Sequence, residues 1–158
     1  MLVPLFLYDR ELLSAPTFYL SAYLEEYREE YFYRLKEVSR ADDWTGWCEF
    51  FLKAITEQGK RNGQKAKGIL DLYGEKKIWM KETKGIGLKE TTLAALDFFF
   101  QNVEFNSTTF MKQTKINEVT GRRLLRNLTK QGLLTCFKKS LGASPGLYSF
   151  TELRELIG

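Results

Sequence analysis

The residues whose types and spacing best suit chemistry lie between Ile116 and Gly132, where cations alternate with leucines. Asn117 can cap a helix because its side-chain oxygen can accept a hydrogen bond from a free backbone amide. Gly132 can end that helix in the left-handed conformation. The leucines that a 3.6-residue turn places on one buried face are Leu124, Leu125 and Leu128. The sequence therefore predicts an amphipathic helix over residues 117–131.

The outer face of this predicted helix is polar and mostly cationic. It consists of Asn117, Glu118, Thr120, Arg122, Arg123, Arg126, Asn127 and Lys130. In a DNA major groove, guanidinium groups can pair with guanine and amides with adenine, while ammonium groups suit phosphate oxygens. We interpret the segment as a recognition helix that binds duplex DNA. The alternative is an ordinary surface helix, since Arg and Lys favour helices and a charged outer face is common.

The segments around this helix favour the DNA-binding interpretation. Residues 107–114 (STTFMKQT) predict a short helix that is separated from the main helix by a tight turn, which is the helix-turn-helix arrangement. After the main helix, the β-prone runs 133–137 and 147–150 flank a turn-rich stretch and predict a hairpin. Lys138 and Lys139 begin that turn and are candidates for contacts with backbone phosphate. This order of elements predicts a winged helix.

The stretch NEVTGRRLLRNLTKQGLLT resembles the second half of many bacterial winged helix-turn-helix domains. In those domains a capping residue, a Thr, an Arg pair and spaced leucines precede a Gly-Leu-Leu strand start. The resemblance covers residues 88–158, and Leu93, Leu96, Phe99 and Phe100 would belong to its first helix. Lys115 departs from the pattern, because the family usually has a turn glycine at that position.

The charge distribution separates the two ends of the chain. Residues 1–58 contain six Lys/Arg and eleven Asp/Glu, whereas residues 59–158 contain eighteen and nine. We therefore expect only the basic part to meet a polyanion. The chain has no histidine and only two cysteines, Cys48 and Cys136, so we expect no zinc site, no disulfide and no histidine-based catalysis. Both thiols are expected to be buried, and no metal or organic cofactor is implied.

The amino-terminal part predicts a helical bundle. The apolar residues 2–13 lack a helix-capping residue and predict the end of a larger unit. A long helix over residues 17–40 follows, and Asp42 and Asp43 are expected to cap a third helix over residues 44–58. The residues that predict its apolar stripe are Trp44, Trp47, Cys48, Phe51, Leu52 and Ile55. Residues 59–68 carry three glycines and four cations and predict a loosely held linker, followed by a helix over residues 69–80.

The stretches VPLFLYDRELLSAPTFYLSAYLEEYREEYFYRL and DDWTGWCEFFLKAI are similar to the segment of Fic-family proteins that follows the catalytic motif. This resemblance covers residues 2–58, and members of that family often carry a carboxyl-terminal winged helix-turn-helix. The catalytic His-Pro-Phe and Gly-Asn-Gly-Arg motifs are absent here. The resemblance therefore implies a carboxyl-terminal fragment whose full-length parent is an AMP-transferase, and we expect this chain itself not to be an enzyme. In that family, the residues at the positions of Tyr27 and Tyr31 lie near the nucleotide. In this chain we expect both tyrosines to serve core packing instead.

Together these patterns predict a mainly α protein with three parts. Residues 1–58 are the carboxyl-terminal helices of a Fic-like core, residues 59–87 a linker and connecting helix, and residues 88–158 a winged helix-turn-helix domain with a small β-hairpin. The predicted function is that of a cytoplasmic DNA-binding module that regulates transcription. The alternative is a protein-interaction or autoregulatory fragment that packs on a Fic catalytic core. A second copy of the chain is a further possible partner, and no membrane association is expected.

Overall fold

The computed structural model describes residues 8–11, 20–87, 89–139 and 144–158. These residues are mainly helical and include one small antiparallel sheet, as the sequence predicts. The chain divides into two compact units, Met1–Gln64 and Lys65–Gly158. No helix in the described ranges has both the length and the apolar character needed to cross a bilayer.

Three helices with defined bounds begin in the described part of unit 1. They are α1 (Ser21–Glu26), α2 (Arg28–Ala41) and α3 (Trp44–Glu82). The predicted single helix over residues 17–40 is interrupted at Tyr27, whose backbone leaves the helical region at φ −107° and ψ 37°; residues 17–19 lie outside the described ranges. The core of the unit is formed by Leu20, Tyr23, Phe50 and Ala54.

Two predictions about α3 differ in outcome. Its amino terminus is capped as expected, because Asp43 Oδ1 accepts a hydrogen bond from the Gly46 amide at 2.9 Å. The predicted apolar stripe is half right, because Trp47, Phe51 and Ile55 pack against the core. The fully buried residues of α3 in this unit, Phe50 and Ala54, are missing from the prediction. The other three predicted residues, Trp44, Cys48 and Leu52, are exposed. Cys48 is therefore not the buried thiol that the sequence predicts.

The predicted linker at residues 59–68 is also wrong, because α3 continues through it to Glu82 without a break. Glycine in a helix interior costs about 1 kcal/mol relative to alanine. In residues 59–68, Lys, Arg, Gln and Ala favour the helix, and all ten residues have helical backbone. A side chain added at Gly63 would meet no atom within 4 Å, so no close contact explains this glycine.

Unit 2 has the topology of a winged helix-turn-helix domain. Its elements after α3 are α4 (Glu90–Gln101), β1 (Glu104–Asn106), α5 (Ser107–Thr114), α6 (Glu118–Lys130), β2 (Thr135–Lys138), β3 (Leu147–Ser149) and α7 (Thr151–Ile157). The sheet order is β1-β3-β2, with β3 antiparallel to both neighbours. The hairpin β2–β3 is the predicted wing, whereas β1 and α7 extend the prediction.

Phenylalanine rings fill the centre of unit 2. Phe99 and Phe110 are fully buried and stack with their centroids 5.5 Å apart. The rings of Phe98 and Phe105 lie 5.2–6.0 Å from the rings of that pair, centroid to centroid. Burying such rings contributes about 2–3 kcal/mol each. This cluster holds α4, β1 and α5 together beneath the helix-turn-helix.

The last helix, α7, is fastened to the second half of α3. Lys76 of α3 is 8% exposed and forms an ion pair with Glu152 of α7. Lys65 Nζ donates to the carbonyl oxygen of Ile157 at 2.7 Å. Tyr73 of α3 donates its hydroxyl to Asp97 Oδ1 of α4 at 2.6 Å. The second half of α3 is thus an integral part of unit 2.

Candidate nucleic-acid interface

The turn of the helix-turn-helix is formed by residues 115–117. α5 ends at Thr114, and the next residue, Lys115, lies in the left-handed region at φ 56° and ψ 21°. Lys115 is the residue that departs from the sequence pattern of winged helix-turn-helix domains, which usually have glycine there. Its backbone has the conformation that favours glycine. Asn117 then caps α6, since its Oδ1 accepts a hydrogen bond from the Val119 amide at 2.9 Å. The predicted cap is confirmed.

The inner face of α6 packs on α5 through the predicted leucines. Leu125 and Leu128 are fully buried and Leu124 is 8% exposed. Gly121 allows the close approach of the two helices, because a Cβ there would lie 3.2 Å from Met111 Cγ. Gly132 ends the helix at φ 82°, as predicted. Rigid packing on this side leaves the opposite face of α6 free to carry polar groups.

The outer face of α6 consists of two parallel lines of side chains, each with a spacing of four residues. The first line is Glu118, Arg122, Arg126 and Lys130, and the second is Val119, Arg123 and Asn127. A shift of one residue rotates a helix position by about 100°, so the two lines point in different directions. The four cations are exposed, and Asn127 is half-buried.

Of the four cations on this face, one forms an ion pair with a carboxylate among the described residues. Arg122 Nη2 lies 2.6 Å from Glu118 Oε1, in an exposed i,i+4 pair. Such surface pairs contribute at most about 1 kcal/mol, so Arg122 is easily redirected. Within the described ranges, Arg123, Arg126 and Lys130 form no ion pair with a carboxylate. The face therefore keeps its positive charge.

The first line of side chains forms one wall of a groove, and the hairpin forms the other. The cavity has a volume of about 650 Å³. α6 contributes Arg122, Arg126 and Lys130, and the hairpin contributes Cys136, Lys139 and Tyr148. Four cations thus converge on one cleft, a geometry that concentrates electrostatic potential and attracts anions.

Aromatic stacking and partial burial define the floor of the groove. The Tyr148 ring stacks on Phe105 with centroids 5.8 Å apart and an interplanar angle of 17°. Burial raises the pKa of Tyr148, the neighbouring Cys136 acts in the same direction, and Arg126 and Arg122 oppose the shift. Cys136 donates its thiol proton to the Lys138 carbonyl oxygen at 3.3 Å. Cys136 is half-buried, contrary to the prediction of a buried thiol, because it lines an open cleft.

The predicted site residues fall into distinct places. Asn117 uses its amide oxygen as the cap, Thr120 is half-buried, and Lys138 is exposed at the end of β2. Lys139 faces the groove.

Several residues of this surface are missing from the sequence prediction. They are Ser107, Val119, Thr129, Cys136 and Tyr148. Val119 is 77% exposed at the start of α6, and its position four residues before Arg123 is the signal that could identify it. The other four come together only through the fold, so no local pattern marks them.

No protein-family model matches the chain. The similarities to bacterial winged helix-turn-helix domains and to Fic-family proteins therefore stay predictions. In the part of the chain that the structure describes, no group of three or more Cys, Asp or Glu side chains is arranged to hold a metal ion.

Proposed function

We propose that unit 2 binds duplex DNA by inserting α6 into the major groove. The observation that carries this proposal is the outer face of α6, where exposed and largely unpaired cations stand over a buried leucine seam. A major groove is about 12 Å wide and admits one α-helix. Because the leucines are held by α5 and the phenylalanine cluster, the helix presents its cations without rearrangement of the fold.

The two lines on α6 have different roles in this proposal. Arg122, Arg126 and Lys130 face the groove next to the hairpin and are placed to hold backbone phosphates together with Lys139. The second line, Val119, Arg123 and Asn127, is placed to contact base edges. Its chemistry suits that role, since an apolar group can contact the thymine methyl, an arginine can pair with guanine and an asparagine with adenine.

The test is an electrophoretic mobility shift with the full chain and a pool of random duplexes at several salt concentrations. Each phosphate contact contributes about 0.9 to the slope of log affinity against log salt. We expect Arg126→Gln and Lys139→Gln each to reduce that slope by about 0.9 on every duplex. Lys77→Gln is the matched control, because Lys77 is an exposed cation of α3 outside this surface.

The second line is tested on the duplex that selection from the pool enriches. Arg123→Ala and Asn127→Ala should each cost about 1–3 kcal/mol on the enriched duplex and little on a scrambled one. Loss of affinity on both duplexes alike would contradict the role in base contacts. Absence of any retardation at low salt would contradict the proposal as a whole.

The state of the two cysteines bears on the cellular compartment in which the proposed DNA-binding activity takes place. Both cysteines are free thiols, and free thiols persist in a reducing compartment. The free thiols support a cytoplasmic setting, in which we propose that the module regulates transcription.

A second candidate function, binding to a protein, is favoured by unit 1. Trp44 is 58% exposed and Leu52 63% exposed, and both lie on one face of α3 with Cys48 between them. Contiguous exposed apolar side chains mark interaction surfaces. The Fic resemblance suggests the partner, a Fic catalytic core on another polypeptide. Size-exclusion chromatography of the chain mixed with such a core tests this function, and Leu52→Lys should abolish co-elution.

A further inference from the structure

The groove between α6 and the hairpin contains partly apolar surface in addition to the cations proposed to contact phosphate. Its volume of about 650 Å³ lies in the range of small-molecule sites. The cations stand on its walls, whereas its floor contains the half-buried Tyr148 and Cys136 beside the buried Leu125. A bare phosphate would satisfy the walls and leave this apolar floor in contact with water.

We propose that this groove binds a small organic phosphate, a flat ring that carries a diphosphate. The phosphates lie between Arg122 and Arg126 of α6 and Lys139 of the hairpin, and the ring packs on the floor beside Tyr148. Several cations on one cleft repel each other, and a polyanion relieves that repulsion while it forms charge-assisted hydrogen bonds. Packing a ring on the floor removes apolar surface from water.

The small ligand does not need DNA in order to bind, although the two ligands would share Arg126 and Lys139. A bound organic phosphate and a DNA backbone cannot occupy these side chains together, so the small ligand would release DNA. Binding of the small ligand is therefore measured first without DNA, and failure of either activity leaves the other measurable.

Isothermal titration calorimetry of the full chain with ADP, inorganic pyrophosphate and adenosine tests both halves of the site. ADP carries both an adenine ring and a diphosphate. Pyrophosphate carries only the phosphates, and adenosine carries the ring without phosphates. We expect ADP to bind about tenfold more tightly than pyrophosphate, with adenosine weaker still. Equal affinity for ADP and pyrophosphate would overturn the ring site, and no detectable binding of ADP would overturn the proposal.

Two substitutions that each replace a cation by glutamine give a matched pair. Arg126→Gln removes a cation from the groove and should weaken ADP binding about tenfold or more. Lys77→Gln removes an exposed cation of α3, outside the groove, and should leave ADP affinity unchanged. An equal effect of the two substitutions would overturn the location, because it would show only a response to net charge.

The two cysteines provide a second readout within one molecule. Cys136 lies in the groove and Cys48 lies in unit 1, so the alkylation of both by iodoacetamide is followed by mass spectrometry. At an ADP concentration ten times its Kd, we expect Cys136 to react about tenfold more slowly and Cys48 at an unchanged rate. Unchanged alkylation of Cys136 under saturating ADP would place the ligand elsewhere and overturn the assignment.

Discussion

The turn of the helix-turn-helix offers a direct test of the structure through Lys115→Gly. Lys115 adopts φ 56°, where an L-residue with a side chain costs about 1–2 kcal/mol. Glycine removes this cost but loses about 0.5–1 kcal/mol more chain entropy on folding. The substitution should therefore raise the free energy of unfolding by about 0.5–1 kcal/mol. For a chain of this length, a gain of 1 kcal/mol corresponds to about 2–4 °C in Tm.

The matched control is Lys112→Gly, three residues earlier in α5. Lys112 is also exposed but has a helical backbone, so the same substitution should lower the free energy of unfolding by about 0.5–1 kcal/mol. Urea unfolding followed by circular dichroism measures both variants, and the m-value shows whether the denatured state has changed. If Lys115→Gly destabilises the protein as much as Lys112→Gly does, the left-handed assignment of Lys115 is refuted.

Substitutions at three further positions test other parts of unit 2. Leu125→Ala, at a fully buried position under α6, should cost about 2–5 kcal/mol in urea unfolding, and a loss under 1 kcal/mol would contradict the packing of that helix. Asn117→Ala should cost about 1 kcal/mol because the Val119 amide loses its partner, whereas Asn117→Asp should retain most of the stability. The pKa of Tyr73 is raised, first through its hydrogen bond to Asp97 and then through burial. The stability that this hydroxyl contributes is present below pH 10.0, the pKa of an unperturbed tyrosine, and is lost as pH rises through the raised value. The stability difference from Tyr73→Phe should therefore be constant at neutral pH and shrink above pH 10.0, and a difference that grows there would show that the sign is wrong.

Much of the fold is predictable because its signals are local. The cap at Asn117, the leucine seam of α6 and the stop at Gly132 each depend on residues within one or two turns of helix. The short helix α5 has the same bounds in prediction and structure, residues 107–114.

Other elements depend on partners that are distant in the sequence. β1 has only three residues, and it is a strand because Phe105 pairs with Tyr148 across the sheet. The apolar stripe of α3 is ambiguous in sequence, because two lines of residues recur at helical spacing. One line is Trp47, Phe51 and Ile55, and the other is Trp44, Cys48 and Leu52. Only packing against α1 through Tyr23 and Phe50 selects the buried line.

The sequence by itself determined a row of cations over a leucine seam, because a helix converts spacing directly into a face. Tertiary structure decided what stands opposite that face. Arg126 on α6 and Tyr148 on β3 line one cleft only because β3 folds back between β1 and β2. The division of α6 into a line beside the hairpin and a line away from it has the same origin. Charge and periodicity are local properties of the chain, whereas a groove exists only between two elements that packing has brought together.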